Sequence, residues 1–314
     1  KIINYIHLFK YLFFKLKKNK IKIVHIRSYL PGFYILPLKL FFKFNIIFDI
    51  RGFLPEEKID RLNISHFNYK YMILKVIEKL LFSFSDEIVT LTTQSKNIIK
   101  SNYTKSLNNI TVIPTCVDTG KFKPVKNINK KLTFGYIGNV YGAYNFYPIL
   151  NFLKKIIEID KNVFLDIYTN QNKELINKSF LKNEILEKNY NISSVSRDDL
   201  VNIIPYFDFG IFNLKINYSI KASFPTKIAE YLSCGIPIIC NNFNEDIENF
   251  ISNNNIGYIL DFEKEIKDIR ELYLNLNKLR KNEVIKKDCR SFCINHLSIE
   301  KACIEYEKIY KNYL

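Results

Sequence analysis

The sequence predicts an α/β protein built from two Rossmann-like domains. Three observations carry this. Short β-rich apolar runs alternate with amphipathic helical stretches along most of the 314 residues. The runs are apolar on both faces, as at residues 24–26 and 236–239, the pattern of parallel strands covered by helices on both sides. A polar, basic stretch at residues 119–131, TGKFKPVKNINKK, separates two such series. At roughly 150 residues per domain, the length agrees with about two domains.

The elements follow in order. Residues 5–22 read as a helix with Phe9, Leu12, Phe13 and Leu16 on one side and Lys10, Lys17 and Lys18 toward the other. Such a helix suits an anionic membrane surface, and equally a core position with one solvated face. The first series then offers strands at 21–26, 46–50, 87–91 and 110–113, with a helix at 69–84. His25 falls inside an apolar strand and is expected to be buried. The second series offers strands at 132–137, 163–168, 209–214, 236–240 and 257–260, with helices at 145–159 and 226–233. From Phe262 onward no strand pattern appears. Successive helices are expected, with apolar positions at Ile266, Ile269 and Leu272, then Ile299, Cys303, Tyr306 and Tyr310.

Composition narrows the function classes. A chain that is 47% hydrophobic and 25% charged is neither disordered, collagenous nor a coiled coil. Six Cys are too few for a disulfide scaffold, and Cys289 and Cys293 find no second pair at metal spacing, so cytosolic thiols are expected. The net charge of +16 suits nucleic acid, an anionic membrane or a phosphorylated substrate. Part of it reflects a Lys-, Asn- and Ile-rich composition of the kind an AT-rich genome produces. No nucleic-acid recognition module is present and the lysines are spread, so no nucleic acid is expected as partner. The uncharged run 132–153 is broken by Gly135, Gly138, Asn139, Gly142, Asn145 and Pro148, which excludes a lipid span. No signal-peptide pattern is present. The expected location is cytoplasmic, with a peripheral contact at the inner face of the membrane left open.

The chemistry is written most sharply at residues 220–240, IKASFPTKIAEYLSCGIPIIC. Ser223 is expected to cap a helix, Pro225 to sit in its first turn, and Gly235 to end it. A helix N-terminus offers free N–H groups and the positive end of the dipole, which suits phosphate. Lys227 adds a cation in the first turn. Glu230, three residues on, adds a carboxylate on the same face. Together they suit a nucleoside diphosphate, the cation for phosphate and the carboxylate for a ribose diol; a plain surface Lys–Glu pair is the competing reading. Gly138 closes the strand 132–137 and lets backbone approach a diphosphate. Asp49 and Arg51 end the strand 46–50, placed either for an acceptor hydroxyl or a phosphate, or as an internal salt bridge.

On these residues the chain resembles the retaining glycosyltransferases of the GT-B fold, family 4 (group 1). SFPTKIAEYLSCGIPIICN followed by NNNIGYIL resembles that family's donor-binding signature. IKIVHIRSYLPG, IIFDIRGFLPEE, SDEIVTLTTQSKNII, ITVIPTCVDTGKFKP and FGYIGNVYGAY resemble other family segments, in the same order. The resemblance implies transfer of a sugar, with retained configuration, from a UDP- or GDP-linked donor to a saccharide or lipid-linked saccharide. Surface polysaccharide or lipopolysaccharide synthesis is the implied setting. It implies no metal and no cofactor beyond the donor. It implies a first domain of residues 1–125 with 298–314 packing back on it, and a donor domain of residues 126–297. Donor contacts are expected from Gly138, Asn139, Ser223, Pro225, Thr226, Lys227 and Glu230. Lys227, Arg51 and Asp49 are the expected catalytic residues.

Two departures from the family pattern stand out. Glu230 matches the second Glu of the signature, but Ala222 stands at the first. Asn139 stands where a basic loop residue is expected. Charge stabilisation then falls to Lys227, with Arg51 and the backbone N–H groups around residues 223–226. These departures also allow an alternative, a catalytically impaired protein acting as a nucleotide-sugar-binding or partner subunit. The strand 21–26 resembles the fourth of about seven in the family's first domain. The first domain is therefore expected to be incomplete, with four parallel strands and residues 21–26 as an exposed edge.

Overall fold

The computed structural model describes residues 2–103, 109–126 and 131–314, with side chains from Ile6 onward. Residues 127–130 of the expected inter-domain stretch lie outside the described residues. The chain divides into two compact units. Unit 1 comprises Lys1–Pro114, Asn217–Phe224 and Ala302–Leu314; unit 2 comprises Thr115–Ile216 and Pro225–Lys301.

Unit 1 opens with α1 (Ile2–Lys18), whose last turn carries Lys15, Lys17 and Lys18 at the negative end of its dipole. A four-stranded parallel sheet follows in the order β1 (Ile23–Arg27), β2 (Asn45–Asp49), β3 (Glu87–Thr90), β4 (Ile110–Val112). Its connections are α2 (Tyr29–Ile35) with a 3-10 turn Leu36–Leu40, then α3 (Leu54–Leu62) and α4 (Tyr69–Phe84), then α5 (Thr93–Tyr103). Ile46, Phe48, Ile88, Leu81 and Phe82 form the centre of its core. Leu16 is buried there, and Phe9, Leu12 and Phe13 pack against it. The opposite face of α1 leaves Tyr11 and Phe14 in solvent.

A polar clip ties α4 to its neighbours. Buried Glu78 accepts hydrogen bonds from the hydroxyls of Tyr29 (2.6 Å) and Tyr103 (2.7 Å), and it pairs with Lys75. Lys75 also reaches Glu56 of α3 at 2.9 Å.

Within the four-stranded sheet β1 is an edge, paired with β2 alone among the described residues. This corrects the expectation for His25. On this edge strand His25 lies beside the Tyr306 and Tyr310 rings, at 5.4 and 6.0 Å, and stays exposed, its Nδ1 2.7 Å from the Tyr310 hydroxyl.

Unit 2 is a six-stranded parallel sheet in the order β10-β9-β8-β5-β6-β7. Its elements are β5 (Thr133–Ile137), α6 (Tyr147–Ile159), β6 (Phe164–Tyr168), α7 (Lys173–Lys182), β7 (Tyr190–Ser193), α8 (Leu200–Ile203), β8 (Phe209–Phe212), α9 (Thr226–Ser233), β9 (Ile238–Cys240), α10 (Glu245–Asn254) and β10 (Gly257–Ile259). The order reverses after β5, so β5 and β8 are the central strands at a topological switch point, where α/β sheets take ligands beyond the strand C-termini. α11 (Ile269–Leu279) and α12 (Glu283–His296) complete the unit, and α13 (Ile299–Lys311) follows.

Most of α13 belongs to unit 1, where Tyr306 donates to Asp49 at 3.2 Å and Tyr313 donates to the Asp86 carbonyl at 2.8 Å. Its inward face differs from the expected one. Ala302 and Ile309 are buried, Tyr306 and Tyr310 are half-buried, and Ile299 and Cys303 are exposed. None of the described cysteines is in a disulfide, and Cys234, Cys240, Cys289 and Cys293 are buried as packing thiols.

Candidate functional site

The site is built around the first turn of α9. Pro225 disfavours helix at Phe224 before it, and it stands at φ −60°, ψ 131° as the residue preceding the helix. The expectation that Ser223 caps this helix is corrected. Ser223 instead closes the short 3-10 turn Ser219–Ala222, and Pro225 holds the cap position with no side-chain hydrogen bond. The first-turn N–H groups of Thr226 and Lys227 are thus left without intrahelical partners. The far end closes as the sequence suggests. Gly235 turns left-handed at φ 72°, its N–H bonds the Leu232 carbonyl, and the Ile236 N–H bonds that of Tyr231, both at 3.0 Å.

Lys227 and Glu230 are buried, at 6% and 5% exposure, which rules out the plain surface pair. The Lys227 ammonium has no hydrogen-bond partner. It lies over three aromatic rings instead: Tyr144 at 4.0 Å, Tyr136 at 4.8 Å and Phe212 at 5.4 Å from the ring centroids. Burial pushes its pKa down to about 7, partly opposed by the Glu230 carboxylate. Glu230 is pushed up by its own burial, against Arg197 and then Lys227, and its Oε1 is 3.5 Å from the Arg197 guanidinium.

Gly138 lies directly against this ammonium. It has φ 99°, and a Cβ placed on it would stand 3.6 Å from the Lys227 Nζ. A side chain there would be strained and would fill the space in front of the charge. The loop after it is held by its backbone. The Gly138 N–H bonds the Tyr168 carbonyl at 2.9 Å. The side-chain oxygen of Gln171 accepts from the N–H groups of Val140 (2.6 Å) and Tyr141 (3.1 Å). Asn139 accepts from the Tyr136 hydroxyl through its carbonyl at 2.6 Å, and the residue is exposed.

Asp49, Arg51 and Ser223 belong to unit 1. Asp49 ends β2, with Oδ2 4.0 Å from Arg51 and its Oδ1 buried without a partner; burial raises its pKa. Arg51 adopts a left-handed backbone, φ 58°, which a non-glycine residue does at some strain. Ala222, at the position of the family's first Glu, is fully buried in the unit 1 hydrophobic core. A carboxylate there would need the chain to be repositioned.

The structure therefore brings together Gly138, Asn139, Thr226, Lys227 and Glu230 in unit 2, with Pro225 at the entry to α9. Sequence reasoning missed the aromatic cage, Arg197 and Gln171. Tyr136 and Tyr144 flank the glycines of the loop in sequence, so their clustering carried a usable signal. Arg197 and Gln171 lie far along the chain from their partners, and nothing local marks them. Among the described residues no three His, Cys, Asp or Glu side chains gather as metal ligands.

Residues 118–288 match the model of the family described as glycosyl transferases group 1. The chain belongs to that family. Among solved structures, this glycosyltransferase-family chain is similar to a glycosyltransferase from Rickettsia africae, with TM-score 0.70 and 16% identity over 97% of this chain and 80% of that one. It is similar to HepE of Anabaena, solved with UDP, with TM-score 0.73 and 10% identity over 97% and 82%. It is also similar to TarM, with TM-score 0.66 and 15% identity, where it covers 92% of itself and spans 54% of TarM. The GT-B architecture, with a smaller first sheet of four strands, is thereby established. A comparison with curated protein sequences gives no match.

Proposed function

We propose that the chain binds a nucleotide sugar in unit 2 and transfers the sugar, with retained configuration, to a saccharide or lipid-linked saccharide. One observation supports this most: a buried ammonium without a hydrogen-bond partner, at a helix N-terminus and facing a left-handed glycine. A buried cation left unpaired is costly, and a diphosphate would supply the missing partner. In this reading Lys227 and the N–H groups of Thr226 and Lys227 take the charge that develops on the departing nucleoside diphosphate. Gly138 admits the phosphates close to the backbone, and Glu230 accepts from the ribose diol. Asp49 and Arg51 serve the acceptor or the donor phosphate. The donor is UDP- or GDP-linked, and the reading calls on no metal or other cofactor. It places the protein in surface polysaccharide or lipopolysaccharide synthesis, at the inner face of the membrane.

Lys227→Met should weaken UDP or GDP binding by about 1.5–3 kcal/mol, the range for a charge-assisted contact. Glu230→Gln should weaken nucleoside diphosphate binding more than inorganic diphosphate binding, since only the former presents the ribose diol. Calorimetric titration measures both, and wild-type affinity in both variants would remove this site. A second reading, a nucleotide-sugar-binding subunit without transferase activity, is favoured by Ala222 within the unit 1 core and by exposed Asn139 in place of a basic residue. Donor hydrolysis by the wild type separates the two readings.

A further inference from the structure

Unit 1 carries an outer layer that is both apolar and cationic. α1, α2, the 3-10 turn Leu36–Leu40 and α4 pack side by side. The Phe13 ring lies 6.0 Å from Phe14 and 5.8 Å from Phe41. Lys39 bonds the Phe84 carbonyl at 2.8 Å, joining the 3-10 turn to the end of α4. Leu30 and Phe33 of α2 face Leu74 and Ile77 of α4 across an apolar groove of about 450 Å³. Over this layer large apolar side chains stand in solvent, among them Phe14 (64% exposed), Leu40 (84%), Phe41 (64%), Phe33, Ile73 and Phe84. Single exposed apolar residues are ordinary; their concentration on four neighbouring elements, around one apolar groove, marks an interaction surface.

The charges on the same layer are mostly of one sign, the exception being Asp86 just past α4, which pairs with Lys39 at 2.6 Å. Before Asp49 the chain has nine Lys and Arg27, and no Asp or Glu. The four elements hold one carboxylate between them, Glu78, and it is buried in the clip with Tyr29, Lys75 and Tyr103. Lys10, Lys15, Lys17 and Lys18 on α1, Lys43 after the 3-10 turn, and Lys70 and Lys79 on α4 are exposed. A polyanion without an apolar interior would satisfy only the lysines. A neutral protein groove would satisfy only the aromatics. The boundary of an anionic bilayer satisfies both, taking Phe and Leu below the headgroups and Lys at their phosphates.

We propose that the face formed by α1, α2, Leu36–Leu40 and α4 of unit 1 docks onto an anionic phospholipid bilayer. This deepens the membrane placement proposed above by naming the surface, and its test reads lipid and donor separately.

The full chain is sedimented with vesicles of phosphatidylcholine alone, or with roughly a third phosphatidylglycerol. Binding should require the anionic lipid and fall on raising salt. Two paired variants, Phe14→Ser with Phe41→Ser and Lys17→Glu with Lys18→Glu, should each lower vesicle affinity roughly tenfold or more. Both should keep the wild-type circular dichroism melt and UDP affinity. If the Phe pair unfolds, Leu40→Ser in the exposed turn replaces it and should lower vesicle affinity in the same direction. Four results would overturn the proposal: no vesicle binding; equal binding to neutral and anionic vesicles; a soluble dimer that the Phe pair disperses; or duplex DNA bound as tightly as vesicles and indifferent to the Phe pair. Vesicle binding without UDP binding would sustain this surface and refute the donor site.

Discussion

Lys227 makes one group answer to pH in two opposite ways. Its folded pKa is held near 7 by burial, while a lysine in the unfolded chain titrates at its ordinary 10.5. Between those limits the unfolded chain binds the extra proton, so native stability should rise with pH across the window. Urea unfolding of wild type against Lys227→Met should show this gain between pH 7 and 10, and parallel curves would contradict the burial argument. Donor affinity should run the other way, because phosphate engages the protonated amine. Above about pH 7 it should fall by up to about tenfold per unit, and Lys227→Met should show no such slope there. Tyr144, whose burial and the nearby Glu230 push its pKa up to about 12, stays neutral throughout and does not confuse the reading. The importance of Lys227 is legible in the sequence, from its place after Pro225. Its unpaired state is not, because that depends on rings from β5, β8 and the loop after Gly138 closing around it.

At the scale of elements, two glycines admit aromatic rings against the centre of the sheet, and one of these rings, Tyr231, belongs to α9. Gly135 of β5 and Gly210 of β8 pair across the ladder. A Cβ on Gly135 would come within 2.0 Å of the Phe207 ring, and one on Gly210 within 2.3 Å of the Tyr231 ring. Tyr231 lies one residue beyond Glu230, and its hydroxyl donates to the Gly135 carbonyl at 3.1 Å. Gly210→Ala should therefore overpack this seat, lowering stability by about 1–3 kcal/mol, and it should weaken nucleotide binding by displacing α9. A variant with unchanged denaturation midpoint and UDP affinity would show that the seat has slack. Nine of the ten strands were legible as short apolar runs, since buried parallel strands leave that signature. β7 was not, because Tyr190–Ser193 alternates polar and apolar residues as an edge strand does and lacks a continuous run. The cap of α9 is not legible for a related reason: the sequence shows a serine and a proline near a helix start, while the backbone of Phe224 and Pro225 decides which of them stands at the boundary.

At the scale of the whole molecule, donor binding should register in one unit. The family match at 118–288 falls within unit 2 except for the returning segment Asn217–Phe224, and Gly138, Lys227 and Glu230 all lie in unit 2. A ligand that binds only the native state stabilises it by about 2.7 kcal/mol at a concentration one hundred times Kd. For a unit of about 150–250 residues, each kcal/mol raises the melting temperature by about 2–4 °C, so the transition of unit 2 should move by roughly 5–11 °C. Hydrogen exchange locates the effect. With saturating UDP or GDP, amides of β5, β8 and α9 should exchange more slowly, and those of β1 to β4 should keep their rates. The two nucleotides compete for the same Glu230 and Lys227, so the better donor base is the one giving the larger shift at equal concentration. Protection spread evenly over both sheets would mean that the stabilisation is not local to unit 2. Protection confined to β1–β4 would move the nucleotide to unit 1, and with it the role assigned to the buried lysine.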